Sequence, residues 1–199
     1  MVLLWGAMTF AAAPHLATLA HAGAFDELAG HTISSSRYDK TGTQSSPDAL
    51  ITHKPSQRII HIFQKTQAAI RLRHFPVASS IGTTESTHAS AFVYKQKNIL
   101  LSDTLVKLLQ SEDQLAFAIS HEMAHIALGH TAKSGPREEL DADAFAVAVL
   151  IEMGLNSCSS ASMLETIKSR EPLYRDALTH RQEHLMKTLL SHCPGSSTL

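Results

Sequence analysis

One short motif in this 199-residue chain has the residue types and the spacing of a metal site. His121 and His125 are four residues apart, and Glu122 follows the first of them in the segment HEMAH. In a helix, both imidazoles would lie on one face, one turn apart, and could bind the same tetrahedral ion. Glu122 would lie beside the ion, where a carboxylate can accept a proton from a bound water molecule. The motif therefore predicts a metal centre with a general base.

A catalytic zinc site needs a third protein ligand and one open coordination position. The next predicted helix begins with four acidic residues, Glu138, Glu139, Asp141 and Asp143. Glu139 and Asp143 share one helical face and precede an apolar stretch, so that face should pack beside the histidine helix. We predict that Glu139 is the third ligand and that Asp143 accepts a hydrogen bond from a ligand imidazole. The other two acids suit the positive end of the helix dipole.

Local signals predict the helices that carry these residues. Ser111 and Gln114 form a capping box, which predicts a helix through HEMAH that ends near Gly129. The Gly-Pro pair at 135–136 opens the next helix with proline in its first turn, and Gly154 is suited to end it. These two helices should place the metal ligands.

Upstream of the motif, the sequence predicts one helix and a small sheet. Ser56 can cap a helix through RIIHIFQKTQAAIRLR. An extended segment is expected over Phe75–Gly82, and residues 90–94 and 99–102 are apolar segments joined by a polar turn, which predicts a β-hairpin. The fold class is therefore α+β and mainly helical, with a small antiparallel sheet.

Downstream elements are predicted to be helical. Asp103 begins a short helix before the motif, and another short helix is expected over Ser160–Lys168. Thr179 and Gln182 have capping-box spacing, so a final helix is predicted from His180 to about residue 191.

The segment SAFVYKQKNILLSDTLVKLLQSEDQLAFAISHEMAHIALGH, followed by ELDAD, resembles the gluzincin peptidases related to the CAAX prenyl endopeptidase, HtpX, Oma-type and BepA proteins. These proteins form metallopeptidase family forty-eight, and the resemblance covers about residues 56–190. It implies a zincin-like domain with the sheet beside the active-site helix, one Zn²⁺ per chain and peptide-bond hydrolysis. The family's third zinc ligand matches Glu139, and its supporting aspartate matches Asp143.

A late helix of the family often begins with a His-Pro pair that an arginine follows. In this chain His180 stands at the predicted helix start without the proline, and His184 lies near the position expected for the arginine. His180 is the candidate for a further catalytic residue, either as an electrophile or as a reversible fourth ligand; the alternative is an ordinary helix residue. His130 is common in the family and is interpreted as structural.

The segment from Ser90 to Tyr94 is expected to lie beside the cleft. Its residues Ser90, Ala91, Phe92 and Val93 are the predicted substrate-binding residues. A polypeptide that pairs with this segment as an added strand must be extended, so extended or unfolded polypeptides are the expected substrates.

The predicted function is a zinc-dependent endopeptidase that hydrolyses peptide bonds in exported proteins that are misfolded or unassembled, with Glu122 as general base. One alternative is a zinc-bound chaperone or assembly factor of the cell envelope with little or no proteolysis. A second alternative is a binding module with a structural metal. Glu122 argues against the second, because a structural site needs no general base and fills its fourth position with a protein ligand.

Composition excludes some classes of function. The chain has 17 basic and 18 acidic residues, a formal net charge of -1 and 44% hydrophobic residues. That balance provides no electrostatic attraction to nucleic acid, so no nucleic-acid partner is expected. The hydrophobic content is sufficient for one core, and the 13 histidines favour a metal hypothesis.

The N-terminal part predicts export. Residues 2–13 form an apolar run of signal-peptide length, and Ala20-His21-Ala22 offers a cleavage site. We expect residues 1–22 to be a signal peptide or an anchor that associates with a membrane, 23–55 a flexible lead-in, and 56–199 the metallopeptidase domain. The expected location is the periplasm or cell envelope, where Cys158 and Cys193 could pair; two separate thiols remain the alternative.

Overall fold

The computed structural model describes residues 52–130, 135–189 and 193. The predicted leader and nearly all of the predicted lead-in lie outside the described residues. Within the described part of the chain, no helix combines the length and the apolar character needed to cross a membrane.

The described ranges form an α+β domain that is mainly helical, as predicted from the sequence. The helices are α1 (Gln57–Arg71), α2 (Asp103–Leu108), α3 (Glu112–Ala127), α4 (Pro136–Glu152), α5 (Ser159–Arg170) and α6 (Arg175–Leu189), with a 3-10 turn at Pro172–Tyr174. The strands are β1 (Thr52–His53), β2 (Ser80–Thr84), β3 (Ala91–Tyr94) and β4 (Asn98–Ser102).

The four strands form one sheet in the order β1-β2-β4-β3. The predicted hairpin is present, because β3 pairs with β4 in antiparallel register, with Phe92 opposite Leu100. The sheet is mixed rather than purely antiparallel, since β2 runs parallel to β4. The extended segment predicted over Phe75–Gly82 was placed too early, because β2 begins only at Ser80. Strand β3 lies at one edge of this sheet.

Helix α3 is at the centre of the domain and packs against α1, α4, α5 and β3. Its sequence is apolar on more than one face, and Leu115, Phe117, Ile119 and Met123 are all fully buried. A helix that is hydrophobic around its circumference is stable only inside a core. The packing therefore places the HEMAH segment in the interior, close to α4.

The ends of α3 and α4 follow the predicted signals. The Ser111 hydroxyl accepts a hydrogen bond from the backbone N–H of Gln114 at 3.0 Å. At the start of α4, the Glu138 carboxylate accepts from the backbone N–H of Gly135 at 2.8 Å. Gly129 and Gly154 have φ values of 71° and 69°, a left-handed conformation that glycine adopts readily just after a helix.

The predicted start of the last helix was wrong. Helix α6 begins at Arg175, so His180 lies inside it rather than at its start. The Thr179 hydroxyl donates to the carbonyl of Arg175 at 2.8 Å, one turn earlier, and therefore does not cap a helix.

The two cysteines form a disulfide in this structure. Cys158 lies directly before α5, and Cys193 lies beyond the end of α6. The bond therefore links the α5–α6 hairpin near its open end, which decides between the two alternatives that the sequence left open.

Candidate metal centre

Helices α3 and α4 bring the three predicted metal ligands together. The Nε2 atoms of His121 and His125 are 3.2 Å apart. The Glu139 carboxylate lies 3.3 Å from Nε2 of His121 and 3.6 Å from Nε2 of His125. One ligand atom of each residue lies within 4.8 Å of the others, and all three residues are buried.

The donor set fits a zinc ion. In a tetrahedral site with bonds of about 2.0–2.1 Å, adjacent donor atoms lie about 3.4 Å apart, close to the three separations found here. Two imidazole nitrogens and one carboxylate are typical ligands of catalytic zinc, and three protein ligands leave one position open. The geometry thus suits one ion, while the roles of the individual residues remain predictions.

Asp143 and Arg181 hold His121 from the opposite side. The Asp143 carboxylate lies 2.9 Å from Nδ1 of His121. Nε and Nη2 of Arg181 donate to its two oxygens at 2.8 and 2.6 Å. Nη1 of Arg181 lies 3.1 Å from the Glu139 carboxylate. Arg181 therefore compensates the charge of both acids, which is necessary because buried carboxylates are costly without partners.

Arg181 was missed by the sequence analysis, which placed the family's arginine near His184. A signal was present, however. Leu178, Arg181 and Leu185 follow one another at helical spacing, and all three are buried on one face of α6. A basic residue on an otherwise apolar face, in a chain with two acids predicted to be buried, indicates an internal ion pair.

His130 contacts the second histidine ligand. Its Nδ1 atom lies 3.1 Å from Nδ1 of His125. If Nε2 of His125 faces the metal position, its Nδ1 carries the proton and the Nδ1–H donates a hydrogen bond to Nδ1 of His130, which fixes the orientation of the ring. The structural interpretation of His130 thus becomes a specific contact with the centre.

Burial and neighbouring charges shift the pKa values of the site in the metal-free protein. Burial raises the pKa of Glu122 to about 7, with the His121 charge opposing and the Glu139 carboxylate reinforcing this shift. Burial and Arg181 lower the pKa of His121, but the hydrogen bond to Asp143 and its charge outweigh them and raise it to about 9. A carboxylate with a pKa near neutrality is suited to accept and release a proton.

The pKa values of the other two predicted ligands, His125 and Glu139, are lowered. Burial, followed by the charge of His121, lowers the pKa of His125 to about 3. Burial alone would raise the pKa of Glu139, but its contacts with His121 and Arg181 lower it to about 2. At neutral pH one ligand imidazole is therefore neutral and the carboxylate is ionised, the forms in which these groups bind metals.

A cavity of about 450 Å³ opens onto the centre. Its lining includes Glu122, the three predicted ligands and Arg181. From the predicted substrate-binding strand, Ala91 and Val93 line the cavity, whereas Ser90 and Phe92 do not. The alternation of side chains along a strand explains this difference, since successive residues point to opposite faces.

His180 is not among the residues that line the cavity, although the next residue, Arg181, is. The backbone N–H of Ser90 donates to the Ser102 hydroxyl at 2.9 Å, so Ser90 belongs to the support of β3. The structure thus brings together the predicted ligands and Glu122, and it places His180 next to Arg181 on α6, outside the cavity lining.

These features define a class of protein. A mainly helical α+β domain with an H-E-x-x-H helix, a glutamate from the next helix and a buried carboxylate facing a cavity has the organisation of a metallopeptidase. Residues 53–183 match the model of Peptidase family M48, which is more than half of the chain. The chain belongs to this family, and the resemblance described from the sequence is confirmed.

Two curated relatives match over a short stretch. The chain is 43% identical over 56 residues to a CAAX prenyl protease 1 homolog of Oryza sativa subsp. japonica, and 41% identical over 56 residues to one of Arabidopsis thaliana. Each match covers 27% of this chain and 13% of the relative. The similarity therefore supports a shared peptidase domain rather than a shared whole protein.

Proposed function

We propose that this protein is a zinc-dependent endopeptidase in which Glu122 is the general base. The observation that carries the proposal is the cavity in which a buried carboxylate with a raised pKa adjoins a His-His-Glu donor set. Membership of Peptidase family M48 supports the same chemistry. When bound, zinc would supply Lewis acidity, making coordinated water more acidic and polarising a carbonyl group.

The residues of the chain would then act in sequence. Glu122 accepts a proton from the attacking water and later donates it to the leaving amine, so the same carboxylate acts first as a base and then as an acid. His121, His125 and Glu139 would hold the zinc. Asp143 and Arg181 would keep His121 and Glu139 oriented throughout the reaction.

The substrates that we propose are extended polypeptides of exported proteins. Strand β3 lies at the edge of the described sheet, and Ala91 and Val93 reach the cavity, so an extended chain can add to this edge. A location in the periplasm or cell envelope is supported by the Cys158–Cys193 disulfide, because disulfides persist in oxidising compartments.

The test is casein digestion by the zinc-loaded protein and by its Glu122→Gln variant. Loss of the general base should reduce turnover by about 10²–10⁴-fold, with an unchanged zinc content by elemental analysis. Glu112→Gln is a matched control, since Glu112 lies on the same helix but is exposed, and it should retain full activity.

Equal turnover by the unmodified protein and the Glu122→Gln variant would reject the proposed mechanism. If neither protein cleaves casein while both bind zinc and suppress aggregation of an unfolded protein, the chaperone alternative replaces the peptidase proposal.

A further inference from the structure

One more buried carboxylate, Glu171, lies outside the metal centre and contacts a segment whose residue Ala89 lines the cavity. Glu171 follows α5 directly and is only 5% exposed. Its Oε1 atom accepts a hydrogen bond from the backbone N–H of Ala89 at 2.7 Å, and its Oε2 atom lies 2.9 Å from Nδ1 of His88. Its own backbone N–H donates to the carbonyl of Ile167 at 2.8 Å. Glu171 therefore joins α5 to the segment that leads into β3.

The same segment is fixed from its other side by Ser102. The backbone N–H of Ser90 donates to the Ser102 hydroxyl at 2.9 Å, and the backbone N–H of Ser102 donates to the carbonyl of Ser90 at 2.8 Å. The Ser102 hydroxyl also accepts from the backbone N–H of Leu105 and so caps α2. Residues 88–90 are thus held between the end of α5 and the start of α2.

These elements enclose an apolar end of the cavity. Its walls are buried apolar side chains from three helices and the segment before β3: Ala89, Leu105, Ala118, Met163, Leu164 and Ile167. On α3, Ala118 lies one turn before Glu122, and the same end of α3 is joined to α5 by a hydrogen bond from Gln114 to the Ser162 hydroxyl at 3.4 Å. The apolar end therefore adjoins the proposed general base.

We propose that the apolar end is a subsite for an apolar side chain of the bound polypeptide and that Glu171 is the positioning residue that sets its width. This inference rests on the proposed function, because the polypeptide is the substrate proposed above. The Glu171 carboxylate accepts from the Ala89 backbone N–H, and the Glu171 backbone N–H donates to the Ile167 carbonyl, so Glu171 fixes the spacing between these two parts of the cavity lining. A substrate with a large aliphatic residue next to the scissile bond would fill the space.

The expected selectivity follows from burial of the side chain. A difference of one or a few methylene groups in an apolar pocket changes discrimination by about 10–200-fold. Since the wall contacts depend on spacing, loss of the Glu171 contact should reduce this discrimination. The variant Glu171→Gln should preserve it, because the amide oxygen can still accept from Ala89 and the amide N–H can still donate to His88.

The experiment measures peptide binding to the zinc-loaded Glu122→Gln protein, which does not depend on turnover. Two fluorescent peptides of Gly, Ser and Thr, which differ only in a central Leu or Ala, are titrated by anisotropy. The Leu peptide should bind at least about 10-fold more tightly. With Glu171→Ala added, the ratio of the two affinities should fall to near one. With Glu171→Gln added instead, the ratio should stay as in the parent protein. His88→Ala is the control that leaves the Ala89 contact in place, and it should keep the ratio.

A second pair of variants tests the pocket itself without relying on Glu171. Ala118→Val should weaken binding of the Leu peptide more than that of the Ala peptide, because it fills the space. Ile167→Ala should shift the preference toward a peptide with a central Phe. If Glu171→Ala does not unfold cooperatively on heating, it is not properly folded, and the peptide affinities of Ala118→Val and Ile167→Ala then test the subsite.

An equal affinity for the Leu and Ala peptides in the parent protein, or a ratio that none of these variants changes, would overturn the inference. A failure of the proposed function would appear differently, as equal casein turnover with and without Glu122, and would leave the peptide ratio measurable.

Discussion

The two ring nitrogens of each histidine in the pair His121 and His125 have different surroundings. We call the side of the Nδ1 atoms the support side and the side of the Nε2 atoms the ligand side. On the support side, Nδ1 of His121 lies 2.9 Å from Asp143, and Nδ1 of His125 lies 3.1 Å from His130. On the ligand side, the two Nε2 atoms face each other at 3.2 Å, with Glu139 at 3.3 and 3.6 Å. The rings are thus fixed from one side, while the spacing on the other side matches the needs of a metal ion.

This difference separates two kinds of perturbation. Changes on the ligand side remove donor atoms, so they should affect zinc binding more than folding. Changes on the support side also remove partners of buried charges, so they should affect both.

The largest expected effect on zinc binding comes from Glu139→Gln, on the ligand side. An amide is a far weaker zinc ligand than a carboxylate. Loss of a residue that only supports a ligand lowers metal affinity by up to about 100-fold, and loss of the ligand itself should lower it further. Competition with a chromophoric chelator measures the affinity. Asp141→Asn, on the same helix, is the control and should bind like the unmodified protein; equal affinities for all three would contradict the assigned ligand.

The next largest effect on zinc binding is expected from Asp143→Ala, on the support side. It removes the partner of His121 and one of the two acids that compensate Arg181. We expect zinc affinity to fall by about 10–100-fold and the free energy of unfolding to fall by about 3–5 kcal/mol. Zinc titration and urea unfolding of the metal-free protein measure the two losses. A drop in zinc affinity without any loss of stability would place Asp143 on the ligand side instead.

A smaller effect is the release of protons when zinc binds, which tests the contact between His121 and the support side. The pKa of His121 is about 9, so at pH 7 it is protonated in the metal-free protein, whereas His125, with a pKa of about 3, is neutral. Zinc binding at pH 7 should therefore release about one proton from His121, in addition to any proton that coordinated water loses, and the His121 contribution should vanish as the pH rises above 9.

Calorimetry in buffers of different ionisation enthalpy measures this release. The Glu122→Gln variant is used so that Glu122 does not contribute protons. Release of clearly less than one proton at pH 7 would show that His121 is not protonated in the metal-free protein.

The smallest expected effect on zinc binding comes from replacing both Cys158 and Cys193 by Ser. The disulfide lies at the open end of the α5–α6 hairpin, and neither cysteine lines the cavity at the metal centre. Its loss should reduce the free energy of unfolding by about 2–4 kcal/mol and leave zinc affinity unchanged. A parallel loss of zinc affinity would show that the hairpin and the metal centre are coupled.

The sequence was most informative where the signals are local. The ligand spacing in α3, the capping residue Ser111 and the Gly-Pro pair at 135–136 act within a few residues, so helix ends and the shared face of Glu139 and Asp143 could be predicted. The roles of these residues are not settled by their placement and stay predictions until the variants are measured.

Contacts between distant parts of the chain could not be predicted in the same way. The pairing of β2 with β4 in parallel, the Arg181–Asp143 pair and the Glu171–Ala89 hydrogen bond join residues that are far apart in sequence. The predicted start of α6 was wrong because Thr179 was assigned as a helix cap from its spacing to Gln182 alone. Its hydroxyl bonds to the preceding turn, a choice that the surrounding fold determines.

The balance of charge around Arg181 has a consequence for how the protein is assembled in the cell. With His121 and Arg181 cationic and Glu139 and Asp143 anionic, these four buried side chains together carry no net charge before an ion binds. The polypeptide can therefore acquire its tertiary structure first and take up metal later, exchanging a proton for the ion. We therefore expect the metal-free protein to fold without zinc and to bind the ion afterwards.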